Sequence, residues 1–126
     1  MTNPIYLALD LPHLQDGLDL IRKVKGHVGG VKLGLGFFCA HGAHGVHLVG
    51  QLGLPIFLDL KFHDIPNTVG RAVAAAAKLG VWMVNVHASG GSRMMSAARD
   101  ALSDFTQRPH LVAVTVLTSM QRGDLA

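Results

Sequence analysis

The sequence predicts an α/β fold in which helices cover a parallel sheet. Strand-like and helix-like segments alternate along all 126 residues, and the connections between them are short. Apolar residues make up 49% of the chain and charged residues only 15%, a composition typical of a chain that buries a core. The pattern fits an open sheet and a sheet closed into a barrel equally well.

The first half of the pattern contains two strands and two helices. Residues 4–9 form a short apolar segment, typical of a buried strand. A helix is expected at 13–25, where apolar residues recur every three or four positions and Gly26 follows as a stop signal. A second apolar segment at 30–34 and a helical pattern at 37–52 complete this half.

The second half repeats the alternation and adds one more strand. Residues 55–61, P-I-F-L-D-L-K, form the third predicted strand. A helix rich in small residues is expected at 66–79, because proline suits its first position. A fourth strand at 81–87, a fourth helix at 92–104 and a fifth strand at 110–117 follow.

This order predicts a single domain over residues 1–126. A complete (β/α)8 barrel typically needs about 250 residues. If the sheet closes into a barrel, the chain therefore supplies about half of it: the first five strands and four helices.

Composition excludes several classes of protein. The lone cysteine, Cys39, rules out an intramolecular disulfide and fits a reducing compartment, so a cytoplasmic location is expected. No apolar run approaches the roughly 18 residues of a membrane span, and the first residues lack the basic segment of a secretory signal. The net charge of +3 is dispersed apart from Arg22, Lys23 and Lys25. Neither a membrane nor a nucleic-acid partner is predicted.

Charged side chains occupy the end of the third predicted strand. Alternation places Asp59 and Lys61 on one face and apolar Leu58 and Leu60 on the other. Opposite charges at the carboxyl end of a buried parallel strand are costly to desolvate unless they are paired. Barrel active sites lie at that end. The pattern D-x-K-x-x-D, completed by Asp64, fits either a structural ion pair or a catalytic site.

Two further charges strengthen the catalytic interpretation. Asp10 ends the first strand, and Lys32 lies within the second. Parallel strands are expected to bring these two residues to Asp59, Lys61 and Asp64. Alternating carboxylates and ammonium groups can keep one another ionised and fix the lysines in place.

The motifs resemble those of one enzyme family along nearly the whole chain. Residues 59–68, D-L-K-F-H-D-I-P-N-T, resemble the signature of bacterial orotidine 5′-phosphate decarboxylases. The segments that resemble the family's first, second, fourth and fifth strand motifs are 8–10, 31–34, 86–91 and 114–119. The resemblance implies a homodimeric (β/α)8 barrel of which this chain is the N-terminal half. It also implies conversion of orotidine 5′-monophosphate to uridine 5′-monophosphate in pyrimidine biosynthesis, without metal or organic cofactor.

The resemblance also implies a role for each matching residue. Lys61 would protonate the carbanion left at C6, with Asp59 beside the substrate carboxylate. Lys32 would order this network and, with Asp10, hold the ribose hydroxyls. Asp64 would join the network from the partner subunit.

Two contacts complete the implied nucleotide site. Thr68 would contact the ribose across the dimer interface, and Ser119 would hydrogen-bond the pyrimidine. The phosphate-binding residues of the family fall outside this sequence.

Three alternative interpretations remain open. A sister group on the same barrel, the 3-keto-L-gulonate 6-phosphate decarboxylases and hexulose phosphate synthases, shares the D-x-K-x-x-D pattern but uses Mg²⁺. It carries an acid on the second strand, whereas this chain has Lys32 there and no glutamate anywhere. A self-associating, non-catalytic half barrel is the second alternative, because its fifth strand would be an open edge.

The third alternative is a zinc site in the second helix. Its candidate ligands are Cys39, His41, His44 and His47. The histidines are three residues apart, so they drift around the helix, and a solvated or partly packed face is the better interpretation. His63 and His87 are expected to be hydrogen-bonded histidines of the sheet.

Overall fold

The computed structural model describes residues 3–125 and shows one five-stranded parallel sheet with strand order β1-β2-β3-β4-β5. The strands are β1 (Tyr6–Leu9), β2 (Gly30–Gly34), β3 (Ile56–Phe62), β4 (Met83–His87) and β5 (His110–Val114). The helices are α1 (Leu14–Val24), α2 (Leu35–Gly50), α3 (Pro66–Ala77) and α4 (Ser92–Asp100). Two short 3₁₀ helices span Ala88–Gly90 and Arg122–Leu125. The predicted α/β class and all nine predicted elements are confirmed.

Two predicted elements end three or more residues earlier than expected. Helix α4 stops at Asp100 rather than residue 104, because the amides after Ala101 bond three residues back: Leu102 N donates to Arg99 O at 3.1 Å. Strand β5 stops at Val114 rather than residue 117. Val114 is paired with His87, the last residue of β4, so no neighbouring strand remains for pairing beyond it.

Helix α2 differs from the expected helix in both position and regularity. It begins at Leu35 and is interrupted at Gly42, which has φ 61° and ψ −160°. A positive φ of this kind is readily adopted only by glycine. The interruption bends the helix without separating its two parts from the sheet, since Phe37 and Val46 on either side of it are both buried.

The core lies between the helices and one face of the sheet. Its fully buried members include side chains from β2, β3, β4 and all four helices: Val31, Leu33, Leu58, Val84, Val86, Ile21, Val46, Val73 and Met94. Burying one such side chain contributes about 1.5–3 kcal/mol. The core fixes the strands, and with them the side chains on the opposite face.

The opposite face carries the polar residues. Ala8 lies beside Lys32, Gly34 beside Asp59, and Asn85 beside Val112 in the register of the sheet. At the amino ends of the strands this face is closed by an aromatic cluster. The ring centroids of Tyr6 and Trp82 are 5.3 Å apart, and those of Trp82 and His110 are 4.9 Å apart. The polar residues therefore lie toward the carboxyl ends.

The outer strands of the sheet each have one neighbouring strand within residues 3–125. Three apolar residues in β5 or shortly after it are exposed: Val112 to 40%, Val116 to 50% and Leu117 to 37%. No helix within residues 3–125 is both long and apolar enough to cross a membrane.

Candidate active site

The ladder between β3 and β4 is interrupted where the charged residues begin. Leu58 pairs with Val84, but the next paired residues are Phe62 and Val86. Three residues, 59–61, therefore pass opposite the single residue Asn85. Bulges of this kind re-aim side chains and are common beside active sites.

The bulge places Lys61 in an unusual backbone conformation. Its φ is 49°, and it is the one non-glycine residue with positive φ among the described residues. The left-handed region costs an L-residue about 1–2 kcal/mol. Its amide donates a hydrogen bond of 2.9 Å to Asn85 Oδ1, which replaces the missing ladder bond.

Asp59 is the centre of a polar network that joins three strands. The residue is 7% exposed. Its Oδ1 accepts hydrogen bonds from Lys61 Nζ and from Asn85 Nδ2, both at 2.7 Å. Its Oδ2 accepts a bond from Lys32 Nζ at 3.2 Å. One buried carboxylate therefore holds an ammonium group from β2 and another from β3.

These contacts keep the Asp59 carboxyl ionised. Burial by itself raises the pKa of Asp59, because the charged form loses hydration. Hydrogen bonds from Lys61, Asn85 and Lys32, together with the Lys61 charge, outweigh this effect, and the net pKa lies below the ordinary value. Asp59 is thus an anion at neutral pH.

The network lies between two cavities. A cavity of about 270 Å³ is lined by Asp10, Lys32, Asp59, Lys61 and residues 34–37. A cavity of about 520 Å³ on the β4–β5 side shares Lys32, Asp59 and Lys61 with the first and adds Ser119. The remaining side chains of the second cavity are those of Phe57, Asn85, Val114, Val116, Leu117 and Thr118. A ligand spanning the cavities would contact both ammonium groups.

The fixed position of the Lys61 ammonium suits it to two chemical roles. The Lys61 ammonium is held 2.7 Å from a buried carboxylate and has 30% of its side chain exposed to the cavities. A fixed ammonium can stabilise negative charge that develops on a ligand atom, and it can also donate a proton to that atom.

The sequence predicts that five charged residues converge, and four of these five line the first cavity. Asp10 is exposed at its rim, while Lys32, Asp59 and Lys61 form the ion-paired network. Asp64 does not join them within this chain. It lies in the turn before α3, where its Oδ1 accepts a bond from the amide of Ile65 at 2.6 Å, and it lines neither cavity.

The other two predicted nucleotide contacts are separated from each other. Ser119 lines the second cavity, beyond the end of β5. Thr68 is exposed in the first turn of α3, close in sequence to Asp64. Asp64 and Thr68 thus present an exposed polar surface away from the cavities of their own chain.

The histidines of α2 form a partly packed, partly solvated face. The His41 ring packs edge-on against Phe37 at 4.9 Å, whereas His44 and His47 are exposed. Within residues 3–125, no three side chains of His, Cys, Asp or Glu are grouped as metal ligands.

The rings of His63 and His87 contact each other, with centroids 5.6 Å apart and planes at 48°. That they are hydrogen-bonded stays a prediction.

Sequence reasoning missed Asn85. This residue is 2% exposed and contacts both Asp59 and Lys61. A signal was present, since an asparagine stands alone between Val84 and Val86 in an apolar strand. Buried amides are hydrogen-bonded in native structures, so such a residue indicates a polar partner in the interior.

Known proteins resemble the chain in sequence and fold. The orotidine 5′-phosphate decarboxylase of Novosphingobium aromaticivorans is 58% identical over 126 residues, which are 100% of this chain and 55% of that protein. The crystal structure of orotidine 5′-phosphate decarboxylase from Lactobacillus acidophilus is 39% identical with TM-score 0.80, covering 98% of this chain and 57% of that one. An uncharacterized conserved protein from Geobacillus kaustophilus is 40% identical with TM-score 0.89, covering 97% and 59%.

The family assignment follows from the extent of the match. The chain spans about half the length of the curated relatives it matches. The sequence profile of the Orotidine 5′-phosphate decarboxylase / HUMPS family matches residues 3–126. This chain therefore belongs to that family.

Proposed function

We propose that the chain forms part of an enzyme that decarboxylates orotidine 5′-monophosphate to uridine 5′-monophosphate in de novo pyrimidine biosynthesis. The observation that carries the proposal is the network in which Asp59 holds Lys32 and Lys61 between two cavities. The names of the relatives support the same substrate. The lone Cys39, which is exposed and free, fits a reducing location such as the cytoplasm.

Lys61 is the proton donor in this mechanism. When the bond between C6 and the carboxyl carbon breaks, the electron pair stays on C6 and CO₂ leaves. The Lys61 ammonium stabilises this charge and transfers a proton to C6, and the resulting amine is reprotonated from solvent. Asp59 lies beside the substrate carboxylate and holds the Lys61 Nζ in place through their 2.7 Å hydrogen bond.

The nucleotide extends across both cavities. Asp10 and Lys32 bind the ribose hydroxyls from the first cavity, and Ser119 hydrogen-bonds the pyrimidine from the second. The position of Lys61 in the wall of both cavities supports this placement. The phosphate is bound by residues outside this sequence.

Lys32 distinguishes this function from the magnesium-dependent chemistry of the sister enzymes. Those enzymes carry an acid at this position of the second strand, where a carboxylate can hold a divalent cation. Here the position carries an ammonium group whose Nζ lies 3.2 Å from Asp59 Oδ2. A divalent cation beside the Asp59 carboxylate is therefore disfavoured, because two ammonium groups already contact that carboxylate.

Turnover by the full-length protein tests the function directly. We expect it to convert orotidine 5′-monophosphate, followed as loss of ultraviolet absorbance, with a rate that EDTA does not change. Magnesium-dependent turnover of a sugar phosphate, without turnover of the nucleotide, would instead assign the chain to the sister enzymes.

A homodimer completes the site in this proposal. Asp64 and Thr68 reach the nucleotide of the partner subunit rather than their own. The exposure of both residues supports this, as does Ile65, an apolar side chain that is 65% exposed between them. Exposed apolar side chains beside polar groups are typical of protein interfaces.

Subunit mixing tests this sharing of residues. Lys61→Ala and Asp64→Asn variants of the full-length protein are each expected to be inactive alone. Mixed and reassembled in equal amounts, they should recover about a quarter of wild-type activity, because half the dimers are mixed and each has one intact site. If Asp64 serves its own subunit, mixing will restore nothing. Remixed wild-type protein is the control for losses during reassembly.

The 126-residue chain alone is proposed to be a poor catalyst. Binding energy from the remote phosphate helps to drive the chemical step in many enzymes, and this chain lacks the phosphate site. The exposed apolar side chains beside β5 favour the alternative in which the isolated chain self-associates.

A further inference from the structure

We propose that Asn85 is a positioning residue for the decarboxylation, acting through Asp59 and Lys61. This inference deepens the proposed function and rests on it. The side-chain amide of Asn85 forms hydrogen bonds with both residues.

The two bonds use the two ends of one amide. Asn85 Oδ1 accepts from the backbone amide of Lys61 at 2.9 Å, and Nδ2 donates to Asp59 Oδ1 at 2.7 Å. Only asparagine and glutamine side chains combine an oxygen that only accepts with a nitrogen that only donates. The shorter asparagine fits at this buried position, which is 2% exposed.

The bond to Lys61 supports a strained backbone. The bulge removes the ladder partner that the Lys61 amide would otherwise have on β4. A buried amide without a partner is costly, so the Asn85 oxygen stabilises the conformation with φ 49°. That conformation sets the direction in which the Lys61 side chain leaves the strand.

The bond to Asp59 fixes the rotation of the carboxylate. Asn85 Nδ2 and Lys61 Nζ both bond to Oδ1, which leaves Oδ2 for Lys32. Asn85 therefore helps to fix the plane of the carboxylate, and with it the positions of the oxygens that Lys61 and Lys32 contact. Because a displacement of about 1 Å can cost about 10²-fold in rate, loss of this restraint should lower the rate of the chemical step.

Two substitutions in the full-length protein separate these contributions. Asn85→Ala removes both bonds. Asn85→Asp keeps an acceptor for the Lys61 amide but places an acidic oxygen against Asp59. We expect kcat to fall about 10–100-fold in each variant, with the KM for orotidine 5′-monophosphate within about threefold of wild type. Val86→Ala is the matched control, because Val86 is equally buried on the opposite face of β4.

A merely structural role would give a different result. If Asn85 only filled space, kcat and thermal stability would change together and no more than in Val86→Ala, and that outcome would overturn the proposal. A parallel rise in KM as large as the fall in kcat would also overturn it, because the residue would then act in substrate binding.

Hydrogen exchange at the Lys61 amide gives a readout that does not depend on turnover. We expect exchange at least about tenfold faster in Asn85→Ala than in Val86→Ala, and close to wild type in Asn85→Asp. Equal exchange in the alanine variants would overturn the proposal. If the wild-type protein fails to decarboxylate the nucleotide, the proposed function fails, whereas the exchange rates still decide whether Asn85 holds Lys61.

Discussion

Replacing Lys61 with alanine is expected to lower kcat for decarboxylation by on the order of 10⁴-fold or more in the full-length protein. In the proposed mechanism, one group supplies two effects that are lost together: electrostatic stabilisation at C6, which is worth about 10²–10³-fold, and proton donation, which is worth about 10²–10⁴-fold. Alanine adopts the left-handed backbone no more easily than lysine does, so the backbone strain is matched between wild type and variant.

Nucleotide binding separates this loss from misfolding. The affinity for uridine 5′-monophosphate, measured by calorimetry, should remain within about tenfold of wild type, because most binding contacts come from other residues. Lys78→Ala is the control, since Lys78 is an exposed lysine at the end of α3. Near-normal turnover by Lys61→Ala would remove Lys61 from the proton-donor role.

The strand and helix order followed from the sequence because each element carries its own local signal. Apolar segments, helical spacing and Pro66 at the first position of α3 do not depend on distant contacts. The ends of α4 and β5 did not follow, for different physical reasons. Local 3₁₀ bonds end α4, whereas β5 ends because its neighbour β4 ends at His87.

The charged pair on β3 was predictable, but its geometry was not. Alternation correctly grouped Asp59 with Lys61, whose side chains form an ion pair of 2.7 Å. A regular strand would have continued its pairing with β4 through both residues. The bulge is accompanied by a contact across strands with Asn85, and no pattern within β3 indicates it.

The position of Asp64 shows a different limit of sequence reasoning. The strand pattern predicted that it would meet the other charges, since it follows Lys61 by only three residues. The chain instead turns toward α3, and the carboxylate bonds to the next amide in the sequence. Its proposed partner belongs to another subunit, and a contact of that kind leaves no periodic signal in a single chain.

Asp59→Asn is the second substitution with a large expected effect. The change keeps the size of the side chain but leaves Lys32 and Lys61 without their shared counter-charge. We expect kcat to fall by on the order of 10³-fold, because the Lys61 ammonium that acts on C6 in the proposed mechanism is no longer fixed. The free energy of unfolding at pH 7 should fall by about 1–3 kcal/mol, less than for a fully buried pair because both lysine side chains are about one-third exposed. Asp100→Asn is the control, since its pair with Arg99 is exposed to solvent.

The pH dependence of this stability difference identifies its cause. Because the pKa of Asp59 is lower in the folded protein than its ordinary value of 3.8, the ionised carboxyl stabilises the fold above that value. The contribution is lost as the pH falls through the lower, folded pKa. The gap in unfolding free energy between wild type and Asp59→Asn should therefore be constant near neutral pH and close in acid below about pH 4. A gap that persists at the lowest pH at which the protein folds would mean that packing, rather than charge, makes Asp59 necessary.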